Sequence, residues 1–171
     1  MESEPAGRGR GISKIHFKVM KEANPLLPVI ESIAFSLQQE LVSSETRGIA
    51  FYGKPPTDKT GDLDLLIISE GKWGDVEKTL QRLANEHQIK IDTWLTTPEK
   101  LRARMKRVVG KFPAKPSVLK TASTWDGFAY VLVSGENYLR ETIEECYNNP
   151  EFGGLIPPTP EEHNTFEPTK S

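Results

Sequence analysis

At 171 residues the chain has room for about one domain, and a hydrophobic fraction of 36% is enough for a single core. A net charge of −2 excludes a nucleic-acid binder acting through its overall charge. The lone Cys146 excludes an internal disulfide, and no Cys/His cluster offers a zinc site.

No apolar run approaches the roughly 20 residues of a membrane span, and the N-terminus has no apolar signal-like stretch. No membrane partner is expected, and the chain is read as soluble and cytoplasmic. Residues 1–11, rich in Gly, Arg and Glu, are expected to be a flexible tail. Residues 12–149 are expected to hold the domain. Residues 150–171, with their Pro, Gly and Glu content, are expected to be a second flexible tail.

Ile15, Phe17 and Val19 alternate with polar residues and suggest a short strand. Asn24-Pro25 reads as a helix start, a capping amide followed by proline. Leu26, Ile30, Ile33, Leu37 and Leu41 then recur at helical spacing. Residues 48–52 read as a strand and residues 53–61 as a loop broken by Pro55 and Pro56. Asp62 to Ser69 reads as a strand, and its nearly continuous apolar run after Asp64 implies burial on both faces. A helix is expected over 75–87, a strand over 89–95, and a helix after Thr97-Pro98. Residues 117–124 suggest a short helix, 128–133 a last strand, and 136–148 a helix with Leu139, Ile143 and Cys146 on one side. Cys146 is therefore expected to be a packed thiol.

The chemistry concentrates in the acidic strand. Residues two apart in a strand point to one face, so Asp62 and Asp64 project side by side, about 7 Å apart at Cα. Two carboxylates aimed at one point repel, and either a proton or a hard divalent cation must relieve them. Asp92 lies on the next strand. If that strand pairs beside the first, Asp92 faces the same point, giving three carboxylates suited to one or two Mg²⁺ ions. The plainer reading, a solvated acidic strand end, is weakened by that third acid.

Phe51-Tyr52-Gly53, the following loop, Gly61-Asp62-Leu63-Asp64-Leu65-Leu66-Ile67-Ile68 and Ile91-Asp92-Thr93-Trp94 together resemble the core of the DNA polymerase β-like nucleotidyltransferase superfamily, most nearly its small minimal members. The resemblance covers about residues 25–106. It implies an α/β (α+β) fold, a small mixed sheet flanked by helices. It also implies metal-dependent transfer of a nucleoside monophosphate from an NTP to a hydroxyl acceptor, releasing pyrophosphate. By it, Asp62, Asp64 and Asp92 would be the catalytic metal-binding acids for Mg²⁺ or Mn²⁺. Gly53 and Lys54 would approach the triphosphate. The chain departs from the pattern at Lys54, where the family places serine, and the loop from Gly53 to Asp62 looks shorter than usual. Lysine can meet phosphate as a point charge. The acceptor stays open among a nucleic-acid end, a protein and a small molecule.

From Lys100 to Lys120 there are eight Lys or Arg and no acid. The helical part, Lys100 to Arg107, is expected to contact phosphate or RNA. The alternative function is therefore a catalytically inactive nucleotidyltransferase-fold module binding RNA or a protein. Among the tryptophans, Trp94 is the best placed to stack on a base, although strand aromatics more often belong to the core.

Overall fold

The computed structural model describes residues 24–41, 46–70, 73–119 and 121–169. The expected strand at 15–19 and the tail at 1–11 lie outside the described residues, as does Lys120. The elements in chain order are α1 (Leu27–Glu40), β1 (Thr46–Phe51), β2 (Asp62–Ser69), α2 (Gly74–His87), β3 (Lys90–Thr96), α3 (Pro98–Lys111), β4 (Ser117–Leu119), a 3-10 turn (Ala122–Thr124), β5 (Ala129–Ser134), α4 (Glu136–Asn148) and β6 (His163–Phe166).

The strands form one mixed sheet in the order β4-β5-β1-β2-β3-β6. β1 pairs antiparallel with both β2 and β5. The β2/β3 and β4/β5 pairs are parallel. The β2-to-β3 connection runs through α2, the kind of crossover that a parallel pair requires.

Local chemistry sets the helix starts. Asn24 accepts the Leu26 amide at 3.0 Å through Oδ1, just ahead of α1. Thr97 accepts the Lys100 amide through Oγ1, and Pro98 opens α3 without spending a hydrogen-bond donor.

The sheet is covered on both faces by alternation along its strands. Leu63, Leu65, Ile67 and Ile91 point to α1 and α2, meeting Ile30, Ile33, Leu37, Leu80 and Leu83. Ala50, Leu66, Ile68 and Leu132 point to α3 and α4, meeting Leu101, Met105, Leu139, Ile143 and Cys146. Fully burying each large aliphatic side chain contributes about 1.5–3 kcal/mol. Cys146 is a packed core thiol, and burial pushes it up to about 11. Among the described residues, no helix is long and apolar enough to cross a membrane.

Two expectations need correction. Residues 117–119 form strand β4 beside β5, and only 122–124 make a helical turn. The break after Pro116 lets Ser117 pair with Ala129 in place of coiling.

The larger correction concerns the C-terminal segment, which is an integral layer where a flexible tail was expected. The Glu151 amide bonds the Lys106 carbonyl at 3.0 Å, so the chain crosses directly over α3. Arg104, buried on α3, donates to the carbonyls of Ile156 and Pro157 and pairs through both terminal nitrogens with buried Glu162. Glu162 also accepts from Thr96 Oγ1 at 2.7 Å and from the Thr159 amide at 3.1 Å. Burial alone would raise the Glu162 carboxyl. The donors, Arg104 first among them, outweigh it and hold the group down at about 2. Residues 163–166 then run as β6 against β3.

Candidate metal centre

β2 and β3 lie in register, with Asp62 opposite Lys90 and Asp64 opposite Asp92. Leu66 and Ile68 continue the Asp62/Asp64 face of β2 and are covered by α3 and α4. At the starts of the two parallel strands the three aspartates are only partly buried. The juxtaposition expected from the sequence is therefore present. One ligand oxygen from each of Asp62, Asp64 and Asp92 lies within 4.8 Å of the others. That clustering suits a hard cation with oxygen ligands.

The three acids have unequal partners. Lys90 Nζ stands 3.9 Å from Asp62 Oδ2 across the strand pair. Asp92 Oδ1 meets His163 Nε2 at 2.7 Å and the Thr165 hydroxyl at 3.1 Å, both from β6. Asp64, between them, has no ion-pair partner among the described residues. Burial first, and then the Asp92 and Asp62 carboxylates, push its carboxyl up to about 6, with His163 pulling the other way. This unrelieved charge is what a divalent cation would remove.

The turn after β1 closes against the same group. Gly53 has φ +71°, and a β-carbon there would stand 2.7 Å from Asp64 Oδ2. Only glycine fits both the left-handed backbone and the contact. Trp125 fixes the turn by donating Nε1–H to the Gly53 carbonyl at 2.7 Å, and its ring stacks on Phe51 with centroids 5.5 Å apart. Lys54 follows on the exposed side of the turn, its stem packed beside Gly127. Tyr52 lies on the aspartate face, where burial and then Asp64 and Asp92 push its phenol far up.

Two sequence expectations fare differently. Four of the eight basic residues from Lys100 to Lys120 pair with acids of this same chain. Arg104 pairs with Glu162, Arg102 with Glu145, Arg107 with Glu151 and Lys115 with Glu144. Three of these pairs involve α3 arginines, and of those three only Arg104–Glu162 is buried. Trp94 also meets an acid, donating Nε1–H to Glu162 at 3.3 Å beneath the Arg104 guanidinium, 5.9 Å from its ring.

Sequence reasoning missed His163 and Thr165. Their signal was a period-two pattern ending in Phe166, masked by the proline-rich residues ahead of it.

No protein-family model, no curated protein and no solved structure matches this chain.

Proposed function

We propose that the chain is a metal-dependent nucleotidyltransferase that moves a nucleoside monophosphate from an NTP to a hydroxyl acceptor. The observation that carries this reading is the convergence of Asp62, Asp64 and Asp92 within 4.8 Å, against a turn that only glycine can make. An unpaired Asp64 carboxyl raised to about 6 supports a site meant for a cation. Mg²⁺ or Mn²⁺ held there supplies Lewis-acid stabilisation of phosphoryl charge and acidifies a hydroxyl.

The chain's own groups divide the remaining work. Asp62 and Asp64 hold the cation from one strand, and Asp92 completes the set from its neighbour. Thr165 and His163 fix the Asp92 carboxylate by one oxygen and leave the other for the site. Gly53, without a side chain, leaves room for phosphate beside Asp64, and Lys54 offers a point charge at the same turn. In the transfer, the acceptor oxygen bonds to the α-phosphorus, the bond to the β-phosphate bridge breaks, and pyrophosphate leaves. The acceptor proton passes to Asp92.

Incubation with each α-³²P NTP and Mg²⁺ or Mn²⁺, scoring label on protein, RNA and DNA, tests the reading. Asp62→Asn and Asp64→Asn should each abolish transfer while leaving the fold intact. Variants as active as the parent would overturn it.

A second reading is a nucleotidyltransferase-fold module without catalysis. It is favoured by Lys54 at the position where the resembled family has serine. Its proposed RNA contact through the α3 arginines is weakened by their pairing with acids. Calorimetry with Mg²⁺-NTPs separates the two, because the transferase must bind at least one of them.

A further inference from the structure

A cavity of about 430 Å³ opens beside the acidic trio and shares Tyr52 and Gly53 with its surroundings. Its walls come from the C-terminal half of α3, the 112–116 turn, the 127–130 stretch and Tyr147 of α4. The volume falls in the range of small-molecule sites, roughly 300–1,000 Å³.

Three observations say what it would hold. First, Phe128, Phe112 and Val108 line it while remaining 80%, 56% and 44% exposed. Large apolar groups gathered in water around one opening mark a binding surface more often than chance exposure. The Phe128 position is also a built one: Gly127 turns the chain at φ +90°, and Asp126 Oδ1 accepts the Phe128 amide at 3.0 Å. Second, the lining is rich in aromatic faces, which favour flat rings over flexible aliphatic chains. Tyr52 and Tyr130 stand with ring centroids 6.4 Å apart, and neither hydroxyl has a hydrogen-bond partner among the described residues. Burial pushes the Tyr130 phenol up to about 12, so it stays a neutral donor. Third, among the described residues the lining holds one charged side chain, Lys115, and that ammonium already pairs with Glu144 at 2.9 Å. Tyr147 donates its hydroxyl proton to the Ala114 carbonyl at 2.7 Å and ties that wall down.

We propose that this cavity binds an uncharged planar aromatic or heteroaromatic ring, belonging to a small molecule whose polar end lies at Asp62, Asp64 and Asp92. The polar end rests on the transferase reading, whereas the ring site does not. Two sources share this chemistry, the base of a nucleotide and the ring of a hydroxyl-bearing acceptor.

The test is saturation-transfer NMR on the full chain in EDTA, with the four ribonucleosides, 2-naphthol and cyclohexanol as probes. At least one ring probe should bind saturably and cyclohexanol should not. Phe112→Ser/Phe128→Ser should weaken that probe at least tenfold with an unchanged thermal midpoint. Val108→Lys, at the exposed rim, should give the same loss if the double variant unfolds. Binding by nucleosides alone assigns the cavity to the base, and binding by 2-naphthol alone assigns it to the acceptor. No ring binding to the parent, equal binding to the rim variants, or cyclohexanol binding as well as the rings would overturn the proposal. The probes carry no phosphate and need no metal, so this result is independent of whether label transfer occurs.

Discussion

His163 Nε2 lies 2.7 Å from Asp92 Oδ1, joining the last strand of the sheet to the acidic trio. Asp92 pairs with Thr165 across β3/β6, and His163 sits diagonally on the same face. The C-terminal segment therefore orients one of the three candidate metal ligands. Partners of this kind typically carry 10–100-fold in metal affinity. His163→Ala should weaken Mn²⁺ binding by about tenfold, and His163→Ala/Thr165→Val by more. Calorimetric titration checks both.

The Arg104–Glu162 pair is the buried ionic tie between that segment and α3. Removing one partner of a buried ion pair costs about 3–5 kcal/mol, because the other charge is left buried and alone. Arg104→Met should lower the thermal midpoint by roughly 10 °C in a chain of this size. Arg104→Met/Glu162→Leu should recover most of the loss. Hydrogen exchange at the β6 amides should quicken in the single variant, and Mn²⁺ affinity should fall with it.

The fold was legible where both periodicity and burial were strong. The apolar run from Leu65 to Ile68 marked a strand buried on both faces. Its pairing with β3 brought Asp64 and Asp92 opposite one another, as the spacing implied. The C-terminal segment was illegible for a physical reason. His163 to Phe166 buries only Phe166, and the Glu162 contact reaches 58 residues back to Arg104. Local composition carries no trace of such a contact, while Pro157, Pro158 and Pro160 argue for loop. Nor does the local sequence show the acidic partners of the α3 arginines, which lie 43 or more residues away.

The pH dependence follows from two opposite shifts. The folded Asp64 carboxyl sits at about 6, above its ordinary 3.8. Between those values the folded chain binds more protons than the unfolded one. Metal-free stability from this group therefore falls as pH rises from about 4 to 6, then levels off. Glu162 works the other way, held at about 2 against an ordinary 4.5. Its contribution is present above about 4.5 and is lost as pH falls toward 2. Thermal midpoints in EDTA should thus peak near pH 4–5. Asp64→Asn should abolish the decline above that peak and raise the midpoint at pH 8 by about 2–4 °C, for about 1 kcal/mol of relieved repulsion in a partly screened site.

Gly53→Ala joins the turn to the metal site. A β-carbon at φ +71° costs about 1–3 kcal/mol, and it would stand 2.7 Å from Asp64 Oδ2. Asp64 must swing away. Mn²⁺ affinity should drop at least tenfold, with a thermal midpoint lower by several degrees.

The most direct test of the centre is a Mn²⁺ titration followed by electron paramagnetic resonance at pH 8, on the parent and on Asp62→Asn, Asp64→Asn and Asp92→Asn. The parent should remove one or two equivalents of Mn²⁺ from the free-ion signal, and each variant should lose at least tenfold in affinity with its fold intact. A parent that leaves the free-ion signal unchanged, or variants that bind as it does, would contradict a cation site at Asp62, Asp64 and Asp92.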